Sequence, residues 1–428
     1  MGNASGQPAS KDPPPPKPSR GPPPKQREVV VPPLFDYPPN AARTRMAVPA
    51  YEVMFGKLSL QNLFENYFDQ PGNMTSRIML KALEDPHVDL TATISAATDK
   101  NSGTEVKGDA LFHWQKESDD PHTFVDLLVS TSNPMWQLRS CAYDPKCSIG
   151  AFVTLPLLVR SRVCREDCGV MGVRYGSENL SLGASFVPFS LPGSSPFGAW
   201  LVARKGNLSA GLQYKPLSGN KHHMPFTDPE NWNCAISYSV GSTSPLSPSS
   251  IFTLELARST QLTTSFYQHM VFQRGVKNPS EDEKVPEITN YVDFGLEFTA
   301  RTDKDKPTEN DNSLFQLAAS WQANKHLLLK GKLGPSMSSG AMAIKSWWRP
   351  SLTFSITAVF DHSKRTISYG LGVRTEDLRQ PSYPRDDPNY IMLTPREETK
   401  GTGERPVFQA HPGYDHLPTH LKPIDTIL

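Results

Sequence analysis

Residues 88–374 alternate apolar and polar side chains in one segment after another, and the chain offers no apolar run long enough to span a bilayer as a helix. Successive side chains on an extended strand point to opposite faces, so a period of two gives each segment two surfaces of different chemistry. In residues 366–374, Ile367, Tyr369, Leu371 and Val373 share one face, and Ser368, Gly370, Gly372 and Arg374 share the other. Residues 351–360 set Leu352, Phe354, Ile356, Ala358 and Phe360 against Ser351, Thr353, Ser355 and Thr357, with Val359 out of pattern. Residues 288–301 set Ile288, Val292, Phe294, Leu296, Phe298 and Ala300 against Thr289, Asp293, Gly295, Glu297, Thr299 and Arg301. Phe315, Leu317, Ala319 and Trp321 lead through Asn324-Lys325 to Leu327, Leu329 and Leu333, which reads as a hairpin.

Further segments at 88–96, 106–114, 149–155, 180–186, 208–214, 232–240 and 252–256 read alike. The total is roughly 18 candidate strands of about 8 to 12 residues, the length a tilted strand needs to cross a bilayer. Turn-rich links such as Lys205-Gly206-Asn207 and Asp361-His362-Ser363-Lys364 separate them. A soluble β-sandwich with one wet face alternates too, but a single soluble core rarely grows to this size. Trp114, Trp136, Trp232, Trp321 and Trp348 stand near strand ends on the apolar side, as interfacial girdles do. The expected fold is all-β, a transmembrane β-barrel of about 19 strands.

Upstream of the strands, Leu60, Leu63, Phe64, Tyr67 and Phe68 form one helical stripe opposed by Gln61, Asn62, Glu65 and Asn66. Residues 50–84 therefore read as a helical segment inside the pore or capping its mouth, with a second helical stretch at 75–84 after Gly72. The remaining boundaries are a Pro-rich arm at 1–48, the barrel at 88–374 and a polar, Pro-containing tail at 375–428. Of the 41 prolines, 13–16 and 22–24 crowd the arm, a composition that cannot bury a core. The arm is expected to be a solvated tether or a ligand for a proline-motif binding partner. Met1 is followed by no apolar signal-peptide core.

A formal net charge of +1 gives no reason to expect nucleic acid as a partner. The five cysteines, Cys141, Cys147, Cys164, Cys168 and Cys234, lack paired metal-ligand spacing and read as reduced, scattered thiols. Neither a metal nor a cofactor is expected. Nucleophile elbows, phosphate loops and zinc-protease motifs are absent. Asp293 with Glu297, or Glu105 with Asp109, would sit about 13 Å apart along one strand face. That exceeds the separation glycosidases use, so an enzyme is not expected; a soluble all-β carbohydrate-active enzyme is the least favoured alternative.

In the last strand, Ser368-Tyr369-Gly370-Leu371-Gly372-Val373 follows the order polar, any, Gly, hydrophobic, any, hydrophobic. This resembles the closing-strand insertion signal of mitochondrial outer-membrane barrels. With the preceding helix and the strand number, residues 51–374 resemble the eukaryotic porin superfamily, the voltage-dependent anion channels and the related protein-translocase pore. The mass and the Pro-rich arm are similar to those of plant porin-like proteins of the mitochondrial outer membrane. The resemblance implies a pore for small metabolites or ions in that membrane, or in the plastid outer envelope, with lipid and the outer-membrane assembly machinery as partners. It implies that Ser368, Gly370, Leu371 and Val373 form the insertion signal. A non-conducting anchor built on the same barrel is the alternative.

If the polar face lines a lumen, its charges include Glu105, Lys107, Asp109, Asp126, Arg174, Asp293, Glu297, Arg301, Lys330, Lys332 and Arg374. Acid and base nearly balance, which implies weak ion preference, with Lys330, Lys332 and Arg374 as an anion-favouring patch.

Overall fold

The computed structural model describes residues 29–31, 46–64, 73–81, 85, 87–99, 103–116, 122–131, 135–158, 169–177, 179–188, 197–215, 227–241, 247–277, 284–301, 314–346, 351–376 and 391–393. Strand β1 (Val29–Val31) comes first, then helices α1 (Ala50–Met54) and α2 (Lys57–Phe64). The long series follows: β2 (Asn73–Lys81), β3 (Val88–Asp99), β4 (Gly103–Gln115), β5 (Phe124–Ser130), β6 (Trp136–Asp144), β7 (Ile149–Leu158) and β8 (Val170–Gly176). It continues through β9 (Leu180–Phe186), β10 (Phe197–Lys205), β11 (Leu208–Tyr214), β12 (Trp232–Gly241), β13 (Ser249–Ala257) and β14 (Gln261–Lys277). The rest are β15 (Lys284–Arg301), β16 (Leu314–Asn324), β17 (Leu327–Leu333), β18 (Met337–Ser346), β19 (Ser351–Asp361), β20 (Thr366–Glu376) and the short β21 (Ile391–Leu393).

Each strand from β2 to β20 pairs antiparallel with the next. Among the described residues these are nineteen strands, and β2 pairs with β20 to close the ring. In a meander, strand direction reverses at every turn, so an odd ring must close on a parallel pair. That pair runs from Met74 opposite Leu371 to Met79 opposite Glu376. Even-numbered strands therefore run from the mouth where β2 begins, here the entry mouth, to the mouth where β20 ends, the tail mouth. Odd-numbered strands run back.

Two expectations from the sequence change. Of the stretch 75–84 read as helical, residues 75–81 are strand and the rest lies outside the described residues; nor does the barrel start at 88, because Asn73–Lys81 is strand β2, paired with β3 on one side and β20 on the other. Met74, Ile78 and Leu80 face outward and Met79 is buried, which satisfies a period of two as well as it fits a helix. Ile288 also leaves the face of Val292. The register steps from Phe272 opposite Asn290 to Gln273 opposite Ile288, so Thr289 is the extra residue of a bulge, its hydroxyl donating to the Phe272 carbonyl at 3.2 Å, and this bulge turns Ile288 to the buried side.

The two faces of the wall are inverted relative to a soluble domain. Leu201, Ile236, Leu254, Phe315, Ile344, Phe354 and Tyr369 are exposed on the outside. Inside, Ser181, Ser209, Ser237, Thr253, Ser265, Thr299, Ser355 and Thr357 are buried. Val359, the exception to its segment's alternation, is also buried on the inner side. The apolar core lies within the ring: Met46, Ala50, Tyr51 and Phe55 pack against Phe124, Tyr143, Phe152, Trp200 and Val202 of the inner wall.

Local turn chemistry supports the hairpins. Asp361 Oδ1 accepts from the backbone of Ser363 at 2.9 Å and Lys364 at 3.0 Å, an Asx-type turn between β19 and β20. Gly206, at φ +60°, makes the two-residue link between β10 and β11.

Candidate functional site

The interior of the ring is the candidate site, and residues 46–64 run through it. Three inward glycines seat this segment. A Cβ at Gly211 would come within 2.7 Å of the Phe55 ring, one at Gly295 within 2.6 Å of Leu63, and one at Gly150 within 2.0 Å of the Met46 methyl. A larger residue at Gly211 would press on the Phe55 ring and one at Gly295 on Leu60 and Leu63, whereas at Gly150 the Met46 methyl would have to swing aside, so these positions are part of the segment's seat.

Polar anchors fix the segment along its length. Arg174, 1% exposed, donates from Nη1 to the backbone carbonyls of Met46 at 2.9 Å and Val48 at 3.0 Å, and its guanidinium lies 5.8 Å from the Trp200 ring. Glu255 accepts from Tyr51 Oη at 3.0 Å and from the Lys57 ammonium. Lys57 also stands 4.9 Å from the centre of the Tyr51 ring. Thr253 Oγ1 donates to the Phe55 carbonyl at 3.0 Å. Beyond α1, Lys330 donates to the Asn62 carbonyl, and Lys332 lies 5.7 Å from the Phe64 ring.

Strand parity places the sequence-derived charges. Lys107, Asp109, Arg174, Asp293, Glu297, Arg301, Lys330, Lys332 and Arg374 all fall on the inner side, each in register with other inward residues. The backbone of Glu105 lies in β4, in register with Ala97, and its side chain is outside the described residues. The charges do not form one ring. Arg174 and Lys330 hold the internal segment, Asp109 accepts from Ser130 Oγ, and Asp293 is held by His269 Nδ1 at 2.6 Å and Tyr267 Oη at 3.0 Å. Arg374 sits at the closing seam beside Arg77. In β20, Ser368 and Gly370 point inward while Leu371 and Val373 point outward.

Several interior groups were not on the sequence-derived list. Glu255 was legible by parity, because it alternates with Leu254 and Leu256 inside a recognised strand. His113 was likewise legible from its strand, whereas His269 lies in β14, a segment not named from the sequence. His113 Nδ1 meets Asp126 Oδ1 across β4 and β5, and His269 stacks on Tyr291 at 5.9 Å. Arg77 was hidden by the helical reading of its segment. Its Nε donates to Thr93 Oγ1 at 3.3 Å.

Of the girdle tryptophans, Trp114 and Trp321 stand at the tail-mouth ends of β4 and β16, and Trp136 and Trp232 at the entry-mouth ends of β6 and β12. Trp114, Trp136 and Trp321 are exposed on the outer face. Trp348, Cys164 and Cys168 lie outside the described residues. Cys141, Cys147 and Cys234 are free thiols. Among the described residues no helix is long and apolar enough to cross a membrane, which says nothing of strands, and no cluster of three His, Cys, Asp or Glu is placed to hold a metal. No protein-family model matches the chain, and a comparison with curated proteins finds no match.

Proposed function

We propose that this protein is a membrane-embedded β-barrel pore for passive movement of small metabolites or ions. The observation that carries the reading is the inversion of the wall: a closed ring of nineteen strands with a continuous apolar exterior and a polar, charged interior. Exposed apolar surface on this scale needs an apolar solvent, and tryptophans at both rims suit the two lipid–water boundaries. A ring this wide exceeds the roughly 8-stranded size whose interior side chains fill completely.

The mitochondrial outer membrane is the proposed location. Bacterial single-chain barrels have even strand numbers, whereas the mitochondrial anion channel has 19; the odd ring with its parallel seam supports that likeness. The pattern at Ser368, Gly370, Leu371 and Val373 is the proposed insertion signal. Lipid, the outer-membrane assembly machinery and a proline-motif binder of the arm are the proposed partners, with the plastid outer envelope as the alternative site. No catalytic role is assigned.

A second reading, a non-conducting anchor, is favoured by one observation: the internal segment occupies part of the lumen and is held at several points. One experiment separates the two. Purified full-length protein that resists alkaline carbonate extraction is placed in planar bilayers, together with a form lacking residues 1–64 that retains β2. Discrete conductance steps from either support the pore; carbonate resistance with silence from both leaves the anchor. Release by carbonate removes both readings.

A further inference from the structure

The strand directions show where β1 and residues 46–64 lie along the barrel. β14 runs toward the tail mouth and β15 returns from it, and their hairpin outruns its neighbours. β13 pairs β14 only as far as His269, and β16 pairs β15 only from Tyr291, yet β14 and β15 stay paired to Lys277 opposite Lys284. On this extension, at the tail mouth, β1 joins β15 through Val30 opposite Glu287. The segment's inner contacts then step away from that mouth. Met46 touches Gly150, the second residue of β7, which starts at the tail mouth; Phe55 meets Gly211 in the middle of β11; and Phe64 faces Lys332, next to last in β17, at the entry-mouth end. β2 then begins at the entry mouth. Residues 46–64 therefore run through the lumen from the tail-mouth side to the entry-mouth side.

β20 ends at that same tail mouth, and the C-terminal tail returns there as β21. It pairs antiparallel with β1: Val29 with Leu393, Val30 with Met392, and Val31 with Ile391. β1 is thus held between the projecting hairpin and the tail. We propose that β21 is a latch: by clamping β1 outside the tail mouth, the tail keeps residues 46–64 seated in the lumen, and its release frees the segment and widens the pore. Neither half of the clamp is needed to close the ring, since β2 to β20 complete it alone. The latch deepens the pore reading and rests on it only for the change in conductance.

The test uses the full-length protein with its native cysteines replaced by serine. Directly opposed strand residues are within disulfide reach, so Val30→Cys with Met392→Cys should cross-link on oxidation and hold conductance low until reductant is added. Met392→Pro removes a backbone donor from β21, and Val30→Pro does so from β1. Each should raise unit conductance severalfold and open Lys57 to trypsin, and the two together should do no more than either alone. Ile236→Cys with Leu254→Cys, opposed in β12 and β13, is the control for oxidation and folding. The latch is wrong if the control pair cross-links and the 30–392 pair does not, or if the proline variants leave both conductance and Lys57 protection unchanged. If no variant conducts but the proline variants expose Lys57, the latch stands and the pore reading falls.

Discussion

Gln316 and Leu317 are adjacent on β16 and meet opposite surroundings. Gln316 lies inside, in register with Glu297, while Leu317 lies outside, in register with Leu296 and Leu333. In a soluble protein of this size the apolar neighbour would be the enclosed one. Here enclosure goes mostly to hydroxyls and charges, and the apolar groups inside gather where residues 46–55 press against the wall, at Phe124, Tyr143, Phe152, Trp200 and Val202, with Met79, Ile288, Leu328 and Val359 as further buried apolar residues. The inner wall thus carries two kinds of surface: an apolar seat for the chain's own segment, and a polar remainder open to other occupants. The outer wall carries one.

The largest effect is expected from breaking the outer face. Leu317→Arg should disfavour membrane insertion by about 2 to 4 kcal/mol near the midplane, whereas Gln316→Arg, opposite Glu297, should leave carbonate-resistant protein near the wild-type amount. Equal losses for the two would mean that the faces are not chemically distinct in the assembled protein.

Next in size comes the seam. β20 pairs antiparallel with β19 and parallel with β2, so its defects strike closure itself. Gly370 is buried opposite Thr357, and Leu371 packs outward between Ile356 and Met74. Gly370→Asp with Leu371→Gln should leave the protein synthesised but unassembled on native gels. Gly206→Ala, in a hairpin at the tail mouth where a Cβ meets open space, should assemble with only a modest strain from its positive φ. Normal assembly of the double variant would remove both the insertion-signal reading and the importance of the seam.

The seam also shows where sequence reasoning stops. Twelve of the strands from β3 to β20, β19 and β20 among them, were legible one by one because each carries its own alternation; β5, β6, β8, β10, β14 and β18 were covered only by the total of roughly 18. β2 was not, since Met74, Ile78, Met79 and Leu80 suit a helix locally, and only pairing with Leu371 and Val373, almost three hundred residues away, selects the extended form. The stripe at Leu60, Leu63 and Phe64 announced a helix. Its place in the lumen depends on Gly211 and Gly295, which are ordinary small residues until the segment lies on them. Parity likewise gave the side for Asp293 and Lys330 but not their partners, because those come from strand order and from a segment with no fixed offset in sequence.

A smaller effect is expected at the apolar seat's polar anchor. Glu255 is buried and accepts from both Tyr51 and Lys57. Glu255→Ala leaves both donors to find water, at about 1 to 3 kcal/mol, which loosens the segment without touching the ring. Expected is faster trypsin cleavage at Lys57 with unchanged barrel assembly and heat resistance. If Glu255→Ala instead impairs assembly, the segment and the wall fold as one unit and the distinction between the two inner surfaces fails.

The smallest effect belongs to the polar remainder, and it separates the two jobs a lumen charge can have. Lys330 holds the Asn62 carbonyl and Lys332 stands over Phe64, so both touch the internal segment as well as facing the lumen. Replacing both with Glu changes the wall by four charges near the entry-mouth end of β17. It should move the cation-to-anion permeability ratio a few-fold toward cations, within about 1 kcal/mol. Lys107→Glu, on the inner face of β4 in register with Ser95, changes charge on another strand of the wall. If Lys330 and Lys332 act on ions directly, their reversal shifts selectivity at constant conductance, and Lys107→Glu gives a smaller shift of the same sign. If they act chiefly by holding the segment, reversal raises conductance and Lys57 cleavage together, as Glu255→Ala does, while Lys107→Glu alters selectivity alone. A shift toward anions in either variant would place those side chains off the conduction path.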